Sequence, residues 1–203
     1  MNVDERPSLG VMGGSFNPPH IGHLAIASDV AAMLSLEGVV FTPAAAPVHK
    51  DIDYDVPVAA RLEMTRMAVA GDERFSVSSV ESDLDLRYTL DTIVELRQQH
   101  CDHKLVFIMG SDSLLQFETW HQPSAILALC RVAVAPRPGD DLRLVEERAR
   151  EWGRGLVVVL PTVTLDVSSS MIRDRLRIGL PIRYLVPDEV ERYIRAERLY
   201  GLS

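Results

Sequence analysis

The chain has 203 residues and a mass of 22.6 kDa, with 47% hydrophobic and 25% charged residues, so it is an ordinary globular protein long enough to bury a core. Its formal net charge of -8 and sequence pI of about 5.2 argue against a general nucleic-acid binder, which would need a basic surface to displace counterions. A small anionic substrate remains compatible, since local Arg, Lys and His side chains can form a positive pocket.

Strand-like runs and helix-like patterns alternate along the whole chain, which is typical of repeated βαβ units around a parallel sheet. The predicted strands are Leu9 to Met12, Val39 to Thr42, Phe75 to Ser78, Leu105 to Met109, Arg131 to Ala135 and Leu156 to Leu160. The predicted helices are Ile21 to Leu34, Val58 to Ala70, Thr89 to Gln99 and Leu142 to Trp152, with a further helical pattern from Asp188 to Arg195.

These elements predict an α/β fold, a Rossmann-like doubly wound parallel sheet with helices on both faces. No long linker interrupts the pattern, so residues 1–203 are expected to form a single domain. In such folds ligands bind outside the carboxyl ends of the strands. The chain meets this requirement, because its polar, glycine-rich and proline-rich segments follow the predicted strands.

The cysteines and the N-terminal residues carry little functional signal. Cys101 and Cys130 belong to no Cys-x-x-Cys pair, so we expect neither a disulfide framework nor a structural zinc site, and Cys130 is interpreted as a core residue. Residues 1–8 lack an apolar signal core, and no run of about eighteen apolar residues occurs. We therefore expect no membrane span and a cytoplasmic location.

The segment after the first strand is the strongest motif in the chain. Gly13 and Gly14 let the backbone approach a bulky anion, and Ser15 adds a hydroxyl group. A helix that begins near Ile21 would direct its free N–H groups at that anion. His20 and His23, three residues apart at the helix start, would share one face and contact the same phosphoryl oxygens, with Gly22 leaving room between them.

A second polar helix start lies near the C-terminus, in the segment from Asp166 to Arg173. Its consecutive serines offer hydroxyl and amide donors together, where an ordinary N-cap needs only one serine. Arg173 falls one turn later and could return to a bound phosphate. Ser169, Ser170 and Arg173 are therefore candidate phosphate ligands.

Five segments between these motifs are candidates for binding a second substrate. His49 and Lys50 end a proline-stiffened loop, Thr89 opens a predicted helix that Thr89 or Asp91 could cap, and Asp112 could accept hydrogen bonds from ribose hydroxyl groups. Trp120 offers a flat face for an aromatic ring, and Arg137 follows the fifth strand. Simpler interpretations remain open: a solvated turn for the loop, helix capping for Thr89 and core packing for Trp120.

The motifs resemble those of one family. His20-Ile21-Gly22-His23 resembles the His-x-Gly-His signature of a nucleotidyltransferase superfamily, and residues 167–173 resemble its Ile-Ser-Ser-Thr-x-Ile-Arg motif, with Val167 and Ser170 as departures. The segments at 43–50, 88–92, 110–114 and 119–120 are similar to those of bacterial nicotinate mononucleotide adenylyltransferases, except that Val48 replaces the second of two paired prolines.

This resemblance implies adenylyl transfer from ATP to nicotinate mononucleotide, giving nicotinate adenine dinucleotide and pyrophosphate in NAD biosynthesis. It implies catalytic roles for His20 and His23 and a carboxylate-binding start of the helix at Thr89. The residues implied to bind ATP are Gly13, Gly14, Ser15, His20, His23, Ser169, Ser170 and Arg173. Those implied to bind nicotinate mononucleotide are His49, Lys50, Thr89, Asp112, Trp120 and Arg137.

Because the acceptor phosphate is already an anionic nucleophile, no covalent intermediate is required, and positioning with charge neutralisation is sufficient. Mg²⁺ is expected to arrive with ATP, to bridge its phosphates and to need few protein ligands. Two alternatives remain open: a nucleotidyltransferase for nicotinamide mononucleotide or another small phosphate ester, and a non-catalytic nucleotide-binding regulator. No nucleic-acid or membrane partner is expected, and the sequence leaves the oligomeric state open.

Overall fold

The structure, a computed structural model, describes residues 5–45 and 56–202. Six strands form one parallel sheet in the order β3-β2-β1-β4-β5-β6. They are β1 Ser8–Gly14, β2 Gly38–Pro43, β3 Phe75–Val77, β4 Lys104–Gly110, β5 Arg131–Ala135 and β6 Val157–Val159. This is the strand order of a Rossmann-type doubly wound sheet, so the predicted fold is confirmed.

The helices of the described residues connect the strands and complete the C-terminal part of the chain. They are α1 Ile21–Met33, α2 Val58–Val69, α3 Val80–Asp83, α4 Thr89–Gln99, α5 Ser111–Leu115, α6 Pro123–Leu129, α7 Leu142–Glu151, α8 Ser169–Arg177 and α9 Asp188–Ala196. Two 3₁₀ turns lie at Phe117–Thr119 and Leu199–Gly201. All six predicted strands and all five predicted helices are confirmed, with ends that differ by at most two residues.

Helices cover both faces of the sheet. Successive side chains of a strand point to opposite faces, so neighbouring strand residues pack in different cores. On one face, Val11 and Phe107 belong to a core that also contains Ile93 of α4 and Ile126 of α6. On the other face, the neighbouring strand residue Met12 packs in a core with side chains of α1 and α2. Cys130 is buried in the first core, as predicted from the sequence, and both cysteines are free.

A third apolar cluster joins α2 to the C-terminal helices. Met64 of α2 packs with Ile172 of α8 and with Ile194 of α9, and Tyr200 of the last 3₁₀ turn completes the cluster. The C-terminal part of the chain is thereby fixed beside the helix that follows β2. Within the described residues, no helix is long and apolar enough to cross a lipid bilayer.

Candidate active site

The chain reverses its winding between β1 and β4, which are neighbours in the sheet although they are far apart in sequence. In a doubly wound fold this reversal opens a crevice at the carboxyl ends of the strands. β1 leads into the Gly13 to His23 segment, and β4 leads into Ser111 and Asp112 at the start of α5. Both candidate segments therefore lie at the expected end of the sheet.

His20 and His23 form a close pair at the start of α1. His20 is the N-cap residue, and the two rings stack with 3.7 Å between their centroids. A Cβ atom on Gly22 would lie 3.0 Å from Nδ1 of His20, so the glycine gives the His20 ring the room that the sequence predicted. The predicted common face of the two histidines is confirmed.

The hydrogen bonds of His23 fix the orientation of its ring. The backbone N–H of His20 donates to Nδ1 of His23 at 3.2 Å. A nitrogen that accepts a hydrogen bond carries no proton, so the proton of neutral His23 lies on Nε2. His23 can therefore donate a hydrogen bond through Nε2–H without being positively charged.

Both histidines are held in the neutral form. Burial and the nearby charge of Arg137 lower the pKa of His20 to about 4. Burial, followed by His20 and Arg137, lowers the pKa of His23 well below its usual range. At neutral pH the pair thus offers hydrogen-bond donors, while the formal positive charge beside it belongs to Arg137.

Arg137 and Asp112 pair at the same end of the sheet. Nε of Arg137 donates to Oδ1 of Asp112 at 2.9 Å, and a Cβ atom on Gly110 would lie 2.5 Å from that carboxylate oxygen. Gly110 therefore allows the carboxylate to fold back over the end of β4. Because Arg137 acts on both histidines and also contacts Asp112, it connects the segments that follow β1, β4 and β5.

The first and the last motifs of the chain meet in space. Oγ of Ser169 donates to the carbonyl oxygen of Pro18 at 2.8 Å, and Nη1 of Arg173 donates to that of Asn17 at the same distance. Nη2 of Arg173 also contacts Oγ of Ser170 at 3.2 Å. The start of α8 is therefore in contact with the turn that precedes His20, as a shared phosphate site requires.

Gly13 and Gly14 were predicted to lie in the turn after β1, but they are the last two residues of that strand, and both have a packing reason to be glycine. A Cβ atom on Gly14 would lie 3.2 Å from the ring of Phe16, and one on Gly13 would lie 3.4 Å from the ring of Phe107. The Phe16 ring also contacts that of His23, with 5.0 Å between their centroids. Ser15, between Gly14 and Phe16, is partly exposed at this surface.

Of the residues predicted to bind the acceptor, Thr89 lies at a helix start, and two others cannot be placed. Thr89 begins α4, whose N-cap is Tyr88. The prediction that Thr89 or Asp91 caps this helix was wrong, because no side chain makes a cap hydrogen bond there. His49 and Lys50 lie outside the described residues.

Trp120 is half-buried. Its ring makes edge contacts with Phe107 and Phe117, at centroid distances of 6.0 Å and 5.3 Å. Beside it, the rings of Tyr88 and His121 stack at 4.2 Å. Trp120 thus combines core packing with partial exposure, next to the residue whose ring stacks on Tyr88.

Sequence reasoning missed several residues that hold this site. Arg61 and Asn17 are each 1% exposed, and Tyr200 is 6% exposed. Oη of Tyr200 donates to Oδ1 of Asn17 at 2.8 Å, across 183 positions of sequence. A sequence signal existed for Arg61, because it shares the buried face of α2 with Met64 and Thr65 at helical spacing.

A family model described as cytidylyltransferase-like matches residues 11–175. A protein of Geobacter sp. (strain M21) named "Probable nicotinate-nucleotide adenylyltransferase" is 40% identical over 210 residues, covering 95% of this chain and 97% of its own. The chain belongs to this adenylyltransferase family. A Thermomicrobium roseum protein of the same name is 40% identical over 198 residues, covering 95% of this chain and 91% of its own.

The fold agrees with that of a solved structure of the Plasmodium falciparum nicotinic acid mononucleotide adenylyltransferase complexed with NaAD. The two chains superimpose with a TM-score of 0.78 over 97% of this chain and 98% of the other, at 14% sequence identity. At this identity the likeness supports the fold. The family assignment rests on the family model and on the closer relatives.

Proposed function

We propose that this protein transfers the adenylyl group of ATP to nicotinate mononucleotide, giving nicotinate adenine dinucleotide and pyrophosphate. The observation that carries the proposal is the stacked pair of neutral histidines at the start of α1, beside Arg137 and at the reversal of the sheet. The family membership supplies the acceptor, because the relatives are named for nicotinate nucleotide.

The α-phosphoryl group of ATP is proposed to lie against His20 and His23. Negative charge on the oxygens of this group increases in the transition state, in which the acceptor phosphate attacks and pyrophosphate leaves. Hydrogen-bond donors that are already in place stabilise this charge without reorganisation. Nε2–H of His23 is such a donor, because its ring is fixed through Nδ1. The two histidines are therefore assigned the catalytic roles.

The triphosphate is proposed to extend from this pair toward the start of α8. Gly13, Gly14 and Ser15 would contact it from the end of β1. Ser169, Ser170 and Arg173 would hold the phosphates that leave as pyrophosphate. The contacts of Ser169 and Arg173 with Pro18 and Asn17 support this proposal, because they bring the two segments together. Helix N-termini and guanidinium groups are both suited to phosphate oxygens.

The acceptor is proposed to lie on the side of α4 and Trp120. The start of α4 would receive the nicotinate carboxylate at Thr89, where first-turn N–H groups have no side-chain cap. Trp120 would contact the pyridine ring. Asp112 would bind the ribose. Arg137, His49 and Lys50 would bind the phosphate of the mononucleotide.

Mg²⁺ is proposed to enter as part of the MgATP substrate. Among residues 5–45 and 56–202, no group of three or more His, Cys, Asp or Glu side chains could hold a metal ion. When Mg²⁺ is bound to ATP, its ligands are mainly phosphate oxygens and water. A cytoplasmic location, where ATP is available, and a single catalytic domain over residues 1–203 belong to the same proposal.

The proposal is tested by pyrophosphate release from MgATP, measured in parallel with four acceptors: nicotinate mononucleotide, nicotinamide mononucleotide, phosphopantetheine and glycerol phosphate. We expect the highest kcat/KM with nicotinate mononucleotide. A preference for the nicotinamide form would contradict the carboxylate-binding role of α4. Release with none of the four acceptors would contradict an enzymatic function and favour a nucleotide-binding regulator.

A further inference from the structure

Arg61 is buried in α2, beneath the loops that follow the first two strands. Its Nη1 donates to the carbonyl oxygen of Ser15 at 2.8 Å, and its Nη2 donates to that of Ala44 at 2.7 Å and of Ala45 at 3.3 Å. These carbonyl groups lie just beyond the carboxyl ends of β1 and β2. One guanidinium group therefore connects the two segments by hydrogen bonds at the point where the pairing of β1 with β2 has ended.

The last backbone contact between the two strands lies next to this guanidinium group. The N–H of Ala44 donates to the carbonyl oxygen of Gly14 at 2.9 Å, and the following residue, Ser15, is already bound to Arg61. Arg61 thus continues the connection between β1 and β2 by side-chain hydrogen bonds. Its planar, forked shape suits this role, because its donors diverge toward different acceptors.

The backbone that Arg61 holds is in an unfavourable conformation. Phe16, directly after Ser15, has a φ of 45°, which lies in the left-handed region. An L-residue other than glycine, Asn or Asp adopts this region at a cost of roughly 1–2 kcal/mol, so surrounding contacts must maintain it. The buried Phe16 ring supplies one such contact, and the bond from Arg61 to Ser15 supplies another.

Glu81 of α3 extends the connection to α4. Its carboxylate accepts a hydrogen bond from Oγ1 of Thr92 at 3.1 Å and another from the backbone of Ala45. Burial raises the pKa of Glu81, while these two hydrogen bonds and the charge of Arg61 act in the opposite direction. A continuous set of polar contacts thus runs from Ser15 through Arg61, Ala45 and Glu81 to the first turn of α4.

We infer that Arg61, supported by Glu81, is a positioning residue that holds the nucleotide-binding turn in register with the acceptor-binding start of α4. This inference rests on the proposed function, which places ATP at the turn and the nicotinate carboxylate at α4. Arg61 lies beneath the loops and contacts neither substrate in this arrangement. It acts by fixing the separation of two surfaces that must bring their ligands into contact.

The consequence is a specific kinetic signature. Each binding surface keeps its own groups when Arg61 is replaced, so the KM values for ATP and for nicotinate mononucleotide should change little. The distance and orientation between the two bound substrates should change. A misplacement of about 1 Å can reduce turnover about 10²-fold. The expected result is a lower kcat with nearly constant KM values.

The test compares wild type with Arg61→Met, Arg61→Lys and Arg66→Met in pyrophosphate release from MgATP and nicotinate mononucleotide. Arg66 lies on the same helix but is exposed, with its side chain paired to Glu63 at 3.5 Å, so Arg66→Met is the matched control. Circular dichroism melting sets an assay temperature at which every variant is folded. Inactive wild type would contradict the proposed function and would be distinguished from any effect of Arg61.

We expect kcat to fall about 10- to 100-fold in Arg61→Met, with both KM values within about twofold and Arg66→Met equal to wild type. Arg61→Lys keeps the charge but lacks the fork, so it should also lose kcat, by about tenfold. If Arg61→Met does not fold, Arg61→Lys decides the question. Unchanged kcat in folded Arg61→Lys, or a loss confined to the KM of one substrate, would overturn the inference.

Discussion

Histidines at the two ends of the sheet have pKa values shifted in opposite directions. At the carboxyl end, burial and the charge of Arg137 lower the pKa of His20. At the amino end, just before β4, His103 lies between Asp102 at 2.7 Å and Glu37 at 2.8 Å, and these hydrogen bonds raise its pKa. The burial and the neighbouring groups of a histidine therefore decide whether its neutral or its charged form is favoured.

The largest effect should follow from replacing a histidine at the carboxyl end. His23→Ala removes the Nε2–H donor, and loss of one such donor typically reduces kcat about 10²- to 10³-fold. Pyrophosphate release measures this loss. His103→Ala is the matched control at the amino end and should retain the kcat of wild type. Equal kcat in wild type and in folded His23→Ala would contradict the role of this histidine.

A smaller effect should follow from loosening the turn that leads to His20. Tyr200→Phe removes the hydrogen bond to Asn17 and leaves a buried amide oxygen without a donor, at a cost of about 1–3 kcal/mol in the free energy of unfolding. We expect urea unfolding to show this cost, with a kcat reduction of about tenfold. The control Tyr184→Phe changes a tyrosine that is 76% exposed and should alter neither quantity. Identical stability and kcat in Tyr200→Phe would show that the turn is held without this contact.

The pH dependence of activity should report the lowered pKa of His20. Between neutral pH and about pH 5 the histidine stays neutral in the free enzyme, so its protonation should not reduce kcat/KM until the pH approaches about 4. Arg137→Met removes one cause of the lowered pKa, and any acid limb that belongs to this histidine should then move to higher pH. An acid limb that does not move would exclude Arg137 as a source of the shift.

The smallest effect should appear in stability at the amino end. The pKa of His103 is raised in the folded state, so its contribution is fully present below the unfolded value of about 6.5. The contribution is lost as the pH rises through the higher folded value. The difference in unfolding free energy between wild type and His103→Gln should therefore shrink from pH 6 to pH 9. A difference that grows over this range would contradict the assigned charge state.

Hydrophobic periodicity was sufficient to predict the sheet and the long helices, because burial on both faces imposes a regular pattern. The short helices α3, α5 and α6 were missed, since an element of one or two turns shows too few positions to reveal a period. The histidine pair was predictable because both residues lie in one continuous motif. The contact of α8 with Asn17 and Pro18 agrees with the predicted meeting of the two phosphate motifs.

The contacts that hold the site could not be read from local sequence. Arg61 bonds to carbonyl groups 16 to 46 positions away, and Tyr200 bonds to Asn17 across 183 positions. Every residue type carries the same backbone carbonyl group, so the sequence does not show which carbonyl groups accept these hydrogen bonds. The position of Arg61 at helical spacing with Met64 and Ala68, on a mostly apolar face of α2, is a signal that the sequence does contain.

The central claim is that the neutral histidine pair promotes joining of an adenylyl group to nicotinate mononucleotide. The most direct test is to incubate wild type and His23→Ala with MgATP and nicotinate mononucleotide and to quantify the dinucleotide by liquid chromatography with mass detection. We predict that wild type forms nicotinate adenine dinucleotide and pyrophosphate in equal amounts, and that His23→Ala forms them about 10²- to 10³-fold more slowly. Absence of the dinucleotide with wild type, or equal rates in both proteins, would contradict the account.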